Sequence, residues 1–83
     1  MDPEIIDTYE QLPQRIAAMS NSRVRLDLKR MYKNCENLRR AIAQEQVNCR
    51  NGRDSHRLLD LRNKFSESVT NLDQYVTLAL LSI

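Results

Sequence analysis

The sequence predicts an all-α fold: a long antiparallel helical hairpin, coiled-coil-like, packed with a short kinked N-terminal helix as a three-helix bundle. Three observations predict it. Apolar residues recur at alternating spacings of four and three along two series separated by a single turn. The only glycine, Gly52, lies in that turn, Asn51-Gly52-Arg53-Asp54. With one Gly, two Pro and no Trp in 83 residues, the chain has few turn-formers and the composition of a helical protein.

The first series is Val24, Leu28, Met31, Cys35, Leu38, Ile42, Glu45 and Cys49; the second is Leu58, Arg62, Phe65, Val69, Leu72, Val76, Ala79 and Ile83. Residues three and four apart share a helix face, so each series forms one stripe. Folding back at the turn sets Cys49 against Leu58, Ile42 against Phe65 and Val24 against Ile83. The two charged members, Glu45 and Arg62, then face each other. They are expected to fix the register, because slippage would strand both charges.

The elements follow in chain order. Asp2-Pro3-Glu4 starts the first helix: Asp caps, Pro suits the first helical position, and Glu suits the positive end of the dipole. That helix, at about residues 3–19, carries Ile5, Tyr9, Leu12, Ile16 and Met19 at helical spacing, and Pro13 is expected to kink or divide it. Ser20-Asn21-Ser22 supplies a break and a cap for the second helix, about 22–50. Gly52 suits a left-handed helix end within the turn at 51–54. Asp54 or Ser55 then caps the third helix, about 55–82. Near its end, Tyr75, Val76, Leu78, Leu80 and Leu81 ring the helix, which requires cover on more than one side. The first helix covers part of that ring, leaving a two-helix tip. All 83 residues read as one domain.

Charge is unevenly spread. Residues 22–53 hold nine Lys/Arg against three acids, whereas residues 1–21 hold one Arg against four acids. The basic second helix points either to an acidic partner or to neutralisation by its acidic neighbours. Arg23, Arg30, Lys33 and Arg40, with Lys29 adjoining, form a ridge away from the apolar stripe. Such a ridge follows a phosphate backbone, and a helical dimer could lay two of them across double-stranded RNA. It holds no aromatic residue for stacking on bases.

Two further surfaces are expected to bind protein. One is the apolar ring, through Tyr75, Leu78, Leu80 and Leu81. The other is the tip, where Arg50, Arg53 and Arg57 lie beside Leu59. Catalysis finds no support: His56 is the only histidine and has no acid or nucleophile beside it, and no glycine-rich loop exists to cradle phosphate. No cofactor, metal or small-molecule substrate is expected, since a chain that buries only about 60% of its unfolded surface rarely walls a pocket. Cys35 and Cys49 lie about 21 Å apart on one helix, too far to pair within one molecule. Unpaired cysteines and the lack of a signal peptide point to an intracellular protein, in cytoplasm or nucleus. No segment is long and apolar enough to span a bilayer.

Two short segments resemble known families. Glu36-Asn37-Leu38-Arg39-Arg40-Ala41 resembles part of the Rho-GTPase-binding hairpins of the protein kinase N and rhophilin type, which implies an antiparallel pair behind a short leading helix. Asn34-Cys35 stand where that family usually has Gly-Ala, and the turn here lies further along. Leu12-Pro13-Gln14-Arg15-Ile16 followed by Val24-Arg25-Leu26-Asp27-Leu28 is similar in order to the nodavirus silencing suppressors, which implies double-stranded-RNA binding. The first helix of that family is longer. Each likeness is confined to its segment, and no family is assigned from it. The function expected is a non-enzymatic protein–protein interaction or adaptor module, assembling with itself or with a larger partner. The alternative is a dimeric double-stranded-RNA-binding protein using the basic face of the second helix.

Overall fold

Asp2 begins the first helix as expected, its Oδ1 accepting from the Glu4 N–H at 3.0 Å, and α1 runs Pro3–Ala17. The computed structural model describes residues 2–48 and 56–81. Within them α2 spans Ser22–Asn48 and α3 spans His56–Leu81. The three helices pack together in an all-α bundle, and α2 with α3 is the largest interface. The expected turn at 51–54 with Gly52, and Cys49, Arg50, Arg53 and Ile83, lie outside the described residues.

Of the two outcomes expected at Pro13, division is not seen: α1 is helical on both sides of it. Proline removes one backbone donor and crowds the carbonyl four residues earlier. The same helix buries Tyr9, Leu12 and Ile16 around it, while Pro13 itself is exposed. Fully burying each such apolar side chain contributes about 1.5–3 kcal/mol, enough together to outweigh a proline cost of about 3 kcal/mol. Packing therefore overrides the local preference.

α1 ends at Ala17, two residues earlier than expected. The Ala18 and Met19 N–H groups bond back to Gln14 O and Ile16 O, each at 3.1 Å. Asn21 then caps α2, its Oδ1 accepting from Arg23 N at 3.0 Å and Val24 N at 3.2 Å. Arg25 Nη1 reaches back to Met19 O at 3.4 Å, tying the end of α1 to the start of α2.

Side-chain partners fix the helix directions. Glu45 of α2 lies by Arg57 of α3, whereas Met31 shares a groove with Tyr75, so α2 and α3 run oppositely. Tyr9 meets Phe65 and Arg15 meets Asp73, so α1 runs alongside α3. The core is one cluster: Leu12 and Ile16 from α1, Leu28, Cys35 and Ile42 from α2, and Leu58, Phe65, Val69, Leu72 and Val76 from α3, closed by Tyr9 and Met19. These are the stripes read from the sequence.

α1 reaches well past the middle of α3 toward the turn end. Tyr9 packs level with Phe65, and α1 continues about 9 Å beyond it at 1.5 Å per residue. Ile5 and Ile6 pack on the core there, and Leu58 and Ile42 are each only 2% exposed.

Candidate functional site

α2 has two working sides besides its stripe. Residues 25, 32 and 39, seven apart and one position past the stripe, face α1. Tyr32 stacks on Tyr9 with ring centroids 5.1 Å apart. The Arg39 guanidinium lies over the Tyr9 ring, 5.2 Å from its centroid, a cation–π contact. Burial pushes the Tyr9 phenol up, the hydrogen bond and charge of Tyr32 add to this, Glu36 adds less, and Arg39 opposes it. Burial likewise raises the Cys35 thiol. Tyr9 and Cys35 are therefore neutral structural groups at physiological pH, and Arg25 and Arg39 are engaged in holding α1. On the other flank of α1, Arg15 pairs with Asp73 and donates to Thr77 Oγ1 at 2.7 Å.

The outward side of α2 is the basic ridge. Arg23, Lys29, Arg30, Lys33 and Arg40 are all exposed. Among the described residues Lys33 alone of these five forms an ion pair, with Glu36 at 3.6 Å. The other ion pairs tie Arg15 to Asp73, Arg57 to Glu45 and Lys64 to Asp60. None of these joins the ridge to the acids on α1 among the described residues. Of the acids of α2, Glu36 and Glu45 are half-buried and Asp27 is exposed. Exposed Glu4, Asp7 and Glu10 give α1 an acidic outer surface. The two outer helix faces therefore carry opposite signs.

Leu26 interrupts the ridge and is about half exposed, at 51%; Asn37 also lies along it, exposed. From Arg23 to Arg40 the ridge extends about 25 Å at the helical rise. It presents guanidinium and ammonium groups to solvent along a helix that packing on two neighbours holds rigid.

The expected apolar ring is only partly exposed. Tyr75, Leu78 and Leu81 are open at 56%, 62% and 78%, but Leu80 packs against the core and is half-buried. At the turn end, Leu59 and Val47 are exposed, and Arg57 Nε sits 3.7 Å from Glu45. Arg62, expected opposite Glu45, is half-buried on α3.

Sequence reading missed the Arg15, Arg25 and Arg39 contacts. The seven-residue spacing of Arg25, Tyr32 and Arg39 beside the stripe was a usable signal for a second buried side of α2. No helix is long and apolar enough to cross a membrane among the described residues. No group of three or more His, Cys, Asp or Glu that could hold a metal ion occurs among them either. No family model, curated protein or solved structure matches the chain.

Proposed function

We propose that this protein is a non-enzymatic binding module whose outer α2 face lies along the phosphate backbone of double-stranded RNA. One observation carries this reading: five exposed cations on one helix face, four of them without an ion pair to any described residue. A default amphipathic exterior mixes signs and closes i,i+4 pairs, as α3 does with Asp60 and Lys64. A strip of mostly unpaired cations instead gains by displacing the counterions condensed on a polyanion.

Two features favour a duplex over a single strand. The ridge lacks aromatic residues, and single-strand binders stack bases on aromatic platforms. Duplex RNA is bound through its shape, its 2′-hydroxyls and its phosphates, which suits a rigid row of cations. The testing experiment is fluorescence anisotropy with equal lengths of duplex RNA, duplex DNA and single-stranded RNA at matched salt. Tightest binding to duplex RNA is expected. Binding to none of the three would remove the reading, and equal binding to all would reduce it to generic polyanion attraction.

A second reading, a protein-binding adaptor, is favoured by a separate observation. Leu78 and Leu81 stand largely exposed near the end of α3, the kind of apolar surface that partner helices cover. Salt separates the two: an apolar contact is insensitive to it, whereas duplex binding weakens steeply.

A further inference from the structure

The outer face of α2 is not evenly charged. At 3.6 residues per turn, Leu26, Asn37 and Gln44 fall on one line along the helix, within about 20° of each other. All three are exposed. The cations flank that line at about 30–70°, Arg23 and Arg30 on one side and Lys29, Lys33 and Arg40 on the other. Neither the Asn37 nor the Gln44 side chain hydrogen-bonds to a described residue. Both amides are therefore free to meet a ligand held by the cations.

Two cation rows with a neutral line between them match a groove bordered by two phosphate strands. In A-form RNA the minor groove is wide and shallow and displays the 2′-hydroxyls, whereas the major groove is too deep and narrow for side chains to read. With α2 laid on the minor groove, the flanking rows reach the two backbones and the central line faces the sugars. We propose that Asn37 and Gln44 hydrogen-bond the 2′-hydroxyls there and so set a preference for RNA over DNA, a role that rests on the duplex-RNA reading.

Chemistry selects these two residues. Guanidinium and ammonium groups only donate, and phosphates are common to RNA and DNA, so the cation rows hold either duplex. The 2′-hydroxyl is the group DNA lacks, and it both donates and accepts. An amide side chain matches it with a donor and an acceptor. Unlike a carboxylate, it adds no charge for the neighbouring phosphates to repel. Leu26, on the same line, has no polar atom to offer. Asn37 is the better placed of the two, with Lys33 four residues before it and Arg40 three after, so phosphates bound on both sides hold it over the groove.

The experiment is fluorescence anisotropy of the full chain with three duplexes of one sequence and length: RNA, RNA with 2′-fluoro in place of every 2′-hydroxyl, and DNA. The fluoro duplex keeps the A-form shape and the phosphates but loses the hydroxyl proton. The wild-type chain should bind RNA more tightly than the fluoro duplex, by about 2- to 12-fold for each amide that bonds a hydroxyl. Asn37→Ala and Gln44→Ala should each lower this ratio, and the double variant should abolish it. Both positions are exposed on a helix, where Ala is the favoured residue, so circular dichroism should be unchanged. The salt slope should stay at the wild-type value, because no phosphate contact is removed. A double variant that keeps the wild-type ratio, or that loses affinity for both A-form duplexes alike, overturns the assignment and leaves the duplex-RNA reading intact. So does a wild-type chain that binds the RNA and fluoro duplexes equally, with tighter binding of both than of DNA marking recognition by shape alone. Failure to bind any of the three removes the reading and the assignment together.

Discussion

Replacing Arg30, Lys33 and Arg40 together by Gln tests whether the α2 ridge acts as one electrostatic unit. All three side chains are exposed and none contributes to the core, so stability should change little. Only Lys33 must give up an ion pair, the exposed contact with Glu36, and surface pairs of this kind contribute about 0–1 kcal/mol. If the five ridge cations each neutralise one phosphate, log K for duplex RNA falls with log salt at a slope of about −4.5 per bound chain. Raising salt from 50 to 200 mM then weakens binding by about 500-fold. The triple variant retains Arg23 and Lys29, which gives a slope of about −1.8 and a loss of about 12-fold over the same range. Anisotropy titrations at four salt concentrations measure both slopes, with Lys64→Gln as a control that should match wild type because Lys64 lies on α3. A wild-type slope near −1, or a triple variant with the wild-type slope, would refute the ridge as the binding surface.

Three further outcomes test the fold that holds the ridge. Burial raises the Cys35 thiol, so above the ordinary thiol value the unfolded chain releases a proton that the folded chain keeps. Stability should be full below about pH 9 and then fall by up to about 1.4 kcal/mol per pH unit. Tyr9, raised by the same cause, adds to the fall from about pH 10, and Cys35→Ala should remove the first step in urea titrations across pH. Pro13→Ala should stabilise the protein by about 1–3 kcal/mol, because α1 already runs through this exposed position; a lower melting temperature would count against that. Asn21→Ala removes the acceptor for two N–H groups at the start of α2 and should cost about 1 kcal/mol in chemical denaturation.

The fold was largely legible because it is written in one-dimensional periodicity. Leu28, Cys35 and Ile42, and Leu58, Phe65, Val69, Leu72 and Val76, were read as stripes and are the core. Asp2 was read as a cap and Ser20-Asn21-Ser22 as the source of another from residue type alone; Asp2 caps α1 and Asn21 caps α2. At Pro13 the sequence left a kink or a division open, and the helix continues there because its Leu12 and Ile16 are buried in the core.

The ridge was legible as a spacing, but its availability was not. Nine cations lie between residues 22 and 53, and the sequence cannot say which of them neighbouring helices engage. The structure divides the described ones: Arg25 and Arg39 turn toward α1, while Arg23, Lys29, Arg30, Lys33 and Arg40 are exposed. Leu80 was grouped with Leu78 and Leu81 for the same reason, since a fully apolar helix end hides which side its neighbours cover. Tyr9 stacking on Tyr32 beneath Arg39 depends on the placement of α1 across the bundle, which no local pattern encodes.

The most direct test is an NMR titration of the isotope-labelled chain with a short RNA duplex, mapping which amides shift as the complex forms. Shifts concentrated between residues 22 and 44 on the solvent side of α2, centred on Arg30, Lys33 and Arg40, are the predicted result. Shifts concentrated on α3 around Tyr75 to Leu81, or none at a saturating duplex concentration, would contradict it.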